Sequence, residues 1–288
     1  LKASAPPAAR AAPMVPGAAL RAAAGAAALL RAAAGAASAP SVAFVTGHVG
    51  AVVPYLPPRP ETEHAYYVLD ELGVPEWLPG LLRRKGWRLL RLAGASDRDA
   101  VNMTARSKLL KIPQERWQEL RGYDFLVWFD DKFRVHVAAA LAGVAAWPRS
   151  AAAAFHRHPR RCAGLFPNCS VLEELEASVT QQRRYRRQEG RLRAYVKAQS
   201  RAGLKIAGRP LYQAGFIIYY QRHPELHRLQ AAWMDHIEVA GINDQVSLFF
   251  VAQIFVAHIK EFEADWGQQL WNGEPVIVAP GVTIAQLG

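Results

Sequence analysis

Short, wholly apolar runs alternate along this chain with amphipathic stretches, and the clearest of the runs lies near its middle. From Phe125 to Phe129 five consecutive apolar residues lead straight into Asp130, Asp131 and Lys132. A strand apolar on both faces belongs in a sheet covered on both sides, typically a parallel sheet, whose ligands sit beyond the carboxyl ends of the strands. If the extended geometry persists, Asp130 and Lys132 share one face and Asp131 points to the other. One carboxylate can then meet a metal or a sugar hydroxyl while the ammonium meets a phosphate. The same three residues equally suit the opening of a solvated loop.

The flanking pattern supplies the remaining elements. Val42 to Thr46 reads as a first strand ending at the Gly47-His48 turn, with Thr46 and His48 as ligand candidates. Pro54, Pro57, Pro58 and Pro60 predict an irregular loop. Helices are expected over Tyr66 to Leu72, Leu78 to Lys85, residues 104 to 111 with Lys108 and Lys111, and Gln114 to Arg121, and a strand over Trp87 to Leu92. Asn243-Asp244-Gln245, after the Gly241 break, reads as an N-cap opening a helix that runs through Val251 and Phe255. Alternating strands and helices predict an α/β class with a mainly parallel sheet flanked by helices.

Composition narrows the partners. The 288 residues carry 35 Lys plus Arg against 24 Asp plus Glu, a net charge of +11, which favours anionic ligands. Residues 1–40 are Ala-rich and free of acid, as in many organellar transit peptides or a low-complexity tail, leaving 41–288 for one domain. The apolar stretch Ala22 to Leu30 is far short of the roughly 20 residues a bilayer requires, so no transmembrane helix is expected. From Gln181 to Lys205 nine basic residues face only Glu189; Tyr185, Leu192, Tyr195 and Val196 would form the apolar side of a helix whose arginines are solvated. That face also suits an acidic acceptor. Aromatic RNA-recognition motifs are missing, which argues against sequence-specific nucleic-acid binding. Cys162 and Cys169 are too widely spaced for a usual zinc pair. The chain has no Gly-x-Ser-x-Gly, His-Glu-x-x-His or Walker loop.

An ordered set of motifs resembles the TOD1/MUCI70 glycosyltransferase-like domain family, formerly a domain of unknown function. Lys108-Leu109-Leu110 leads to Tyr123, Trp128, Asp130 and Lys132 in the spacing Tyr-x-x-x-x-Trp-x-Asp-x-Lys. Then come Phe155-His156-Arg157-His158, Leu172-Glu173-Glu174-Leu175-Glu176-Ala177, Ala214 to Tyr219 with Trp233 beyond it, and Asn243-Asp244-Gln245-Val246-Ser247. The resemblance covers roughly residues 100 to 255.

It implies a GT-A-like fold and sugar transfer, hexosyl or pentosyl, from a nucleotide-diphosphate donor to a glycan or other hydroxyl acceptor, acidic glycans included. Asp244 and Asp130 would be the catalytic residues, Asp244 acting on the acceptor hydroxyl. Lys132, Lys108 and Arg157 would hold donor phosphates, with Thr46 a further candidate from its place at the end of the first strand, and His156, Glu173 and Gln245 would line the acceptor side. Mn²⁺ or Mg²⁺ on Asp130, Asp131 and His258 is one way to stabilise the leaving diphosphate; Lys132 with Arg157 or Lys108 is the metal-independent way. Members of this family have also been assigned a ceramidase activity, and a catalytically silent glycan- or polyanion-binding domain is the third expectation. The expected compartment is the Golgi or another secretory lumen if an anchor precedes Leu1, and otherwise an organelle or the cytoplasm.

Overall fold

The computed structural model describes residues 39–50, 56–70, 74–92, 100–112, 116–131, 133–157, 170–262, 267–269, 277–279 and 282–283. In chain order these form β1 (Val42–His48), β2 (Ala65–Asp70), α1 (Trp77–Arg84), β3 (Arg88–Leu92), α2 (Ala100–Lys111), β4 (Phe125–Phe129), β5 (Phe133–Val135), α3 (Val137–Ala145) and β6 (Ala153–Arg157). They continue with α4 (Val171–Gln181), α5 (Arg183–Arg186), α6 (Glu189–Arg201), β7 (Tyr212–Tyr220), α7 (Leu226–Ala240), α8 (Asp244–Ile254) and β8 (Ile259–Phe262).

Seven strands make one sheet in the order β3-β2-β1-β4-β7-β6-β8. Only β7 runs against the rest: β4 and β6 both pair with it antiparallel, while β1 with β2, β2 with β3, β1 with β4, and β6 with β8 are parallel. The protein is thus a mixed α/β structure with a mostly parallel central sheet. Six strands deliver their carboxyl ends to one edge, and β7 begins at that same edge. Short β5 pairs outside the sheet, antiparallel with residues 267–269.

Both faces of the sheet are covered, which is why β4 needs apolar residues at every position. On one face Val45, Val68, Leu126, Trp128, Ile217 and Tyr219 pack with Leu110, Trp233 and Leu248, that is, under α2, α7 and α8. On the other, Phe44, Tyr67, Val127, Phe129 and Ile218 pack with Leu78 and Leu82 of α1 and Ala140 and Val144 of α3. A third cluster joins α4 and α6 to the outer side of α8 through Leu175, Tyr185, Leu192, Tyr195, Val246, Phe249 and Phe250. Helix α8 is therefore buried from Val246 to Ala252, where its sequence is apolar but for Ser247, and is exposed at Ile254. Helix α7 is amphipathic, burying Leu226, Leu229, Gln230, Trp233, Ile237 and Ala240.

Two expected helices take other forms. Tyr66 to Leu72 was expected to be helical, but Ala65–Asp70 is strand β2, buried along its whole length. A short apolar run carries no period of its own, and the β-forming Tyr-Tyr-Val core fits the vacancy beside β1. Over Gln114 to Arg121, the described residues form no α-helix but 3-10 structure, at Arg116 and at Gln118–Leu120. The four residues Tyr185, Leu192, Tyr195 and Val196 are buried as the basic stretch predicted, although that stretch is two helices broken near Gln188. Residues 1–38, Cys162 and Cys169 lie outside the described residues. Among the described residues no helix is long and apolar enough to cross a membrane.

The corner from α7 to α8 depends on Gly241, whose φ of 102° and ψ of −168° lie in a region open essentially to glycine alone. A Cβ there would also come within 2.4 Å of Gln188 Oε1, the atom that accepts the Ile242 N–H. Gly241→Ala is expected to cost about 1–3 kcal/mol, the range for a residue forced into such a conformation. Urea unfolding measures this, and an unchanged midpoint would show that the corner relaxes freely.

Candidate functional site

The carboxyl edge of the sheet gathers most of the residues singled out by the sequence. Helix α2 places Lys108 and Lys111 three residues apart, hence on one face, and that face turns towards the N-terminus of α8. Asp244 occupies the first turn there. Its Oδ1 lies 3.0 Å from Lys108 Nζ and its Oδ2 2.6 Å from Lys111 Nζ. Lys111 Nζ also donates to the Ala214 carbonyl at 3.1 Å and stands 3.7 Å from Asp130 Oδ1. All three of Lys108, Lys111 and Asp244 are buried. Asp130 is the open member, its side chain 26% exposed.

Burial by itself disfavours each of these charges, and pairing decides which survive. Burial raises the Asp244 pKa, but Lys108 and Lys111 outweigh it and hold the carboxyl well below the usual range. For Lys111, burial is likewise outweighed by Asp130 and Asp244, so its ammonium is held above the ordinary lysine value. Lys108 is lowered to about 8, because burial, aided by neighbouring Lys111, exceeds what Asp244 returns. The cluster is thus a fixed ion lattice with Asp130 at its open side.

The N-cap expected around Asp244 is Asn243, whose Oδ1 accepts from the N–H groups of Gln245 and Val246, both at 3.1 Å. Asn243 Nδ2 donates to Ser178 Oγ, which donates to the buried Glu174. Asp244 is therefore free of capping duty. A carboxylate sealed between two ammonium groups is also a weak proton acceptor, so in this arrangement Asp244 acts as a counter-ion rather than a base for an acceptor hydroxyl.

Asp130 is fixed from three sides. Its N–H donates to the Gly215 carbonyl at 2.8 Å, Trp128 Nε1 donates to its Oδ1 at 3.2 Å, and Lys111 faces the same oxygen. Gly215 gives it room: a Cβ there would lie 3.0 Å from Asp130 Oδ2 and 2.7 Å from the Phe133 ring. Asp131 turns to the opposite face, where its Oδ2 lies 3.5 Å from His48 Nδ1. Thr46 and Tyr67 are buried on that face, and the Thr46 hydroxyl, the Tyr67 hydroxyl and His48 Nε2 make no hydrogen bond among the described residues. Burial first, and Asp131 second, push the Tyr67 phenol up, so it remains an O–H.

The other sequence candidates fall in different places. His156 and Arg157 end β6 at the same edge, after a register shift between Phe155 and His156; Arg157 Nη2 pairs with Glu261 at 2.6 Å. Glu173 is exposed and closes the capping box of α4 with Ser170, a structural duty, while the buried acid of that helix is Glu174. The Gln245 backbone belongs to the α8 cap. Lys132 lies outside the described residues. His258 precedes β8 at the amino end of the strands, 3.3 Å from the Ser150 carbonyl, and is not brought to Asp130 and Asp131.

The three expected metal ligands thus do not converge. Asp130 and Asp131 face opposite sides of the sheet, His258 lies at its far end, and among the described residues no group of three or more His, Cys, Asp or Glu could hold a cation. Sequence reasoning noticed Lys111 without giving it a role; its i, i+3 spacing from Lys108 was the available signal. Glu174 and Ser178 gave the weaker signal of an i, i+4 polar pair on an otherwise apolar helix face.

No family model matches the chain, and no curated protein matches it. Among solved structures it is similar to mouse xyloside xylosyltransferase 1 in its apo form, at 8% identity over 77% of this chain and 85% of that one, with a TM-score of 0.42. It is also similar to a glycosyltransferase involved in glycosylation of the major capsid of PBCV-1, at 9% identity over 78% and 82% of the two chains, TM-score 0.37. A third is the glycosyltransferase GlyE of Streptococcus pneumoniae TIGR4, at 12% identity over 79% of this chain and 46% of that one, TM-score 0.37.

Removing one partner of a buried ion cluster leaves the others uncompensated. Asp244→Asn is accordingly expected to cost about 3–5 kcal/mol in urea unfolding at neutral pH, against the roughly 1 kcal/mol typical of a lost cap. The folded-state pKa of Asp244 lies below its unfolded value, so its contribution is complete above the unfolded pKa and is lost as pH falls from there towards the folded one. The gap between wild type and Asp244→Asn should therefore narrow below about pH 4. A cost near 1 kcal/mol that does not vary with pH would contradict the ion lattice.

Proposed function

We propose that the protein is a glycosyltransferase of GT-A-like fold, transferring a sugar from a nucleotide-diphosphate donor to a glycan or other hydroxyl acceptor. The observation that carries the reading is Asp130: a partly open carboxylate at the carboxyl end of the central strand β4, clamped by Trp128, Gly215 and the buried Lys111. A rigidly held charge beside buried cations is what orientation and charge stabilisation at a breaking glycosidic bond require. The motif order from Lys108 to Ser247 supports the same reading, and so does the basic balance of the chain, which favours an anionic donor.

In this reading the donor lies across the carboxyl edge between β1 and β7, the place where open α/β sheets hold ligands. Negative charge develops on the departing diphosphate, and basic side chains neutralise it, with Arg157 at the end of β6 a candidate. Lys108 and Lys111 act from beneath by fixing the field and the position of Asp130. The described residues do not converge on a cation, so no step is assigned to one. The acceptor enters from the side of His156.

The test is an assay of UDP and GDP release from sugar nucleotides with and without glycan acceptors. Wild-type protein should release nucleotide, and Asp130→Asn should lower turnover by about 10²-fold or more, the scale of one preorganised charged group, in protein that circular dichroism shows to be folded. Full activity in a folded Asp130→Asn would remove Asp130 from the site. Fatty-acid release from ceramide, with no nucleotide released from any donor, would overturn the transferase reading. Activity abolished by EDTA and restored by Mn²⁺ would assign the diphosphate to a cation, and activity indifferent to EDTA would assign it to basic side chains.

A further inference from the structure

The basic stretch that the sequence marks as a solvated helix face has a recess in it. Between α4 and α6 lies a hollow of about 340 Å³, within the lower part of the roughly 300–1,000 Å³ range of ligand-holding clefts. Its floor is apolar, made by Leu172 of α4, Val196 of α6 and Ile206 beyond α6. Val196 and Ile206 are the outer skin of the third hydrophobic cluster, while Leu172 remains 40% exposed. The rim is cationic: Arg193, Lys197 and Arg201 stand four residues apart in a row along α6.

The walls of the hollow are held in place. The Val171 N–H donates to the Ile206 carbonyl at 3.0 Å, and the Lys205 backbone exchanges two hydrogen bonds with the Gln253 side chain of α8, at 3.0 and 2.9 Å. The carboxylates of α4 and α6 are already engaged. Glu176 and Glu189 both accept from Arg193, Glu174 accepts from Ser178, and Glu173 turns back to the Ser170 N–H. Lys197 and Arg201 are exposed and make no ion pair among the described residues. Two uncompensated cations therefore stand beside an apolar floor.

An exposed apolar patch rimmed by polar side chains marks a contact surface, and here the charge selects the partner. A nucleic acid or an acidic glycan would meet the cations but bring nothing to cover the floor. A flat bilayer surface would touch the rim and span the hollow. A peptide supplies both kinds of group. At 1.5 Å rise per residue, the rim cations are spaced about 6 Å apart along the helix, the spacing of carboxylates four residues apart on a second helix. We propose that this hollow docks an acidic amphipathic helix of a partner protein, laid along α6 with its apolar side chains on Leu172, Val196 and Ile206 and its carboxylates towards Lys197 and Arg201. None of the residues of the ion lattice takes part, and the docking needs no sugar chemistry.

Fluorescence anisotropy with a labelled peptide tests the proposal. The probe is three heptads long, with leucine at the first and fourth positions and glutamate at the fifth and seventh, so that its apolar stripe is flanked by acid. Wild-type protein should bind it at low ionic strength and more weakly as salt is added. Lys197→Glu combined with Arg201→Glu should weaken binding by about 10-fold or more, since two attractions become repulsions. Leu172→Asn should weaken it by about 3- to 10-fold through lost apolar contact. Reversing the same number of charges on α1, on the other face of the sheet, with Arg83→Glu and Arg84→Glu, should change affinity less than 2-fold. All of these side chains but Leu172 are exposed, and circular dichroism checks that each variant is folded.

A peptide with alanine in place of leucine that binds as well as the probe would reduce the surface to unselective charge and overturn the proposal. So would equal losses from the α6 and α1 double variants, or no binding of the probe by wild-type protein. Binding to phosphatidylglycerol vesicles that the probe does not compete with, and that Lys197→Glu with Arg201→Glu abolishes, would assign the face to a membrane surface instead.

Discussion

Everything at the carboxyl edge depends on one buried carboxylate. Asp244 sits between the ammonium groups of Lys108 and Lys111, and through Lys111 the same charge set reaches Asp130. Such a cluster is costly to desolvate, and apolar residues of equal volume would often serve stability as well. What it provides is position. It ties α2 to the start of α8, and both to the ends of β4 and β7, so that Asp130 is held against a rigid floor. The helix N-terminus beneath Asp244 adds its own positive field, which favours the carboxylate further.

The environment of α8 explains why this lattice persists. The helix is apolar nearly all round, packed on the sheet by Leu248 and Val251 and against α4 and α6 by Val246, Phe249 and Phe250. Its N-terminal polar groups cannot be left to water and are met one by one: Asn243 by the backbone and Ser178, Ser178 by Glu174, Asp244 by the lysines. Trp233 Nε1 donates to the Asp244 carbonyl and lies near Ser247 Oγ, which joins α7 to the same point. A buried polar network of this kind specifies one arrangement because any other would leave members unmatched.

The sheet also sorts chemistry between its faces. Consecutive residues Asp130 and Asp131 leave β4 on opposite sides, one to the lysines and Trp128, the other to His48. A cation site built from both is disfavoured by that alternation alone. His258, close to the carboxylates only in the sense of being another ligand-type residue, is separated from them by the length of the strands.

The strand ending in Asp130 and Asp131, the opposite facing of those two residues, the lysine-bearing helix and the α/β class were all legible in the sequence, because each follows from local periodicity. The reversal of β7, the partners of Asp244 and the bare Nε2 of His48 were not. They depend on contacts between residues far apart in the chain, such as Lys111 with Ala214 and Tyr219, 103 and 108 positions away. Local pattern misread β2 as a helix because a buried element has no polar face to reveal its period. Asn243 and Asp244 both suit an N-cap, and only the packing of α2 against α8 decides that Asn243 caps while the lysines claim Asp244.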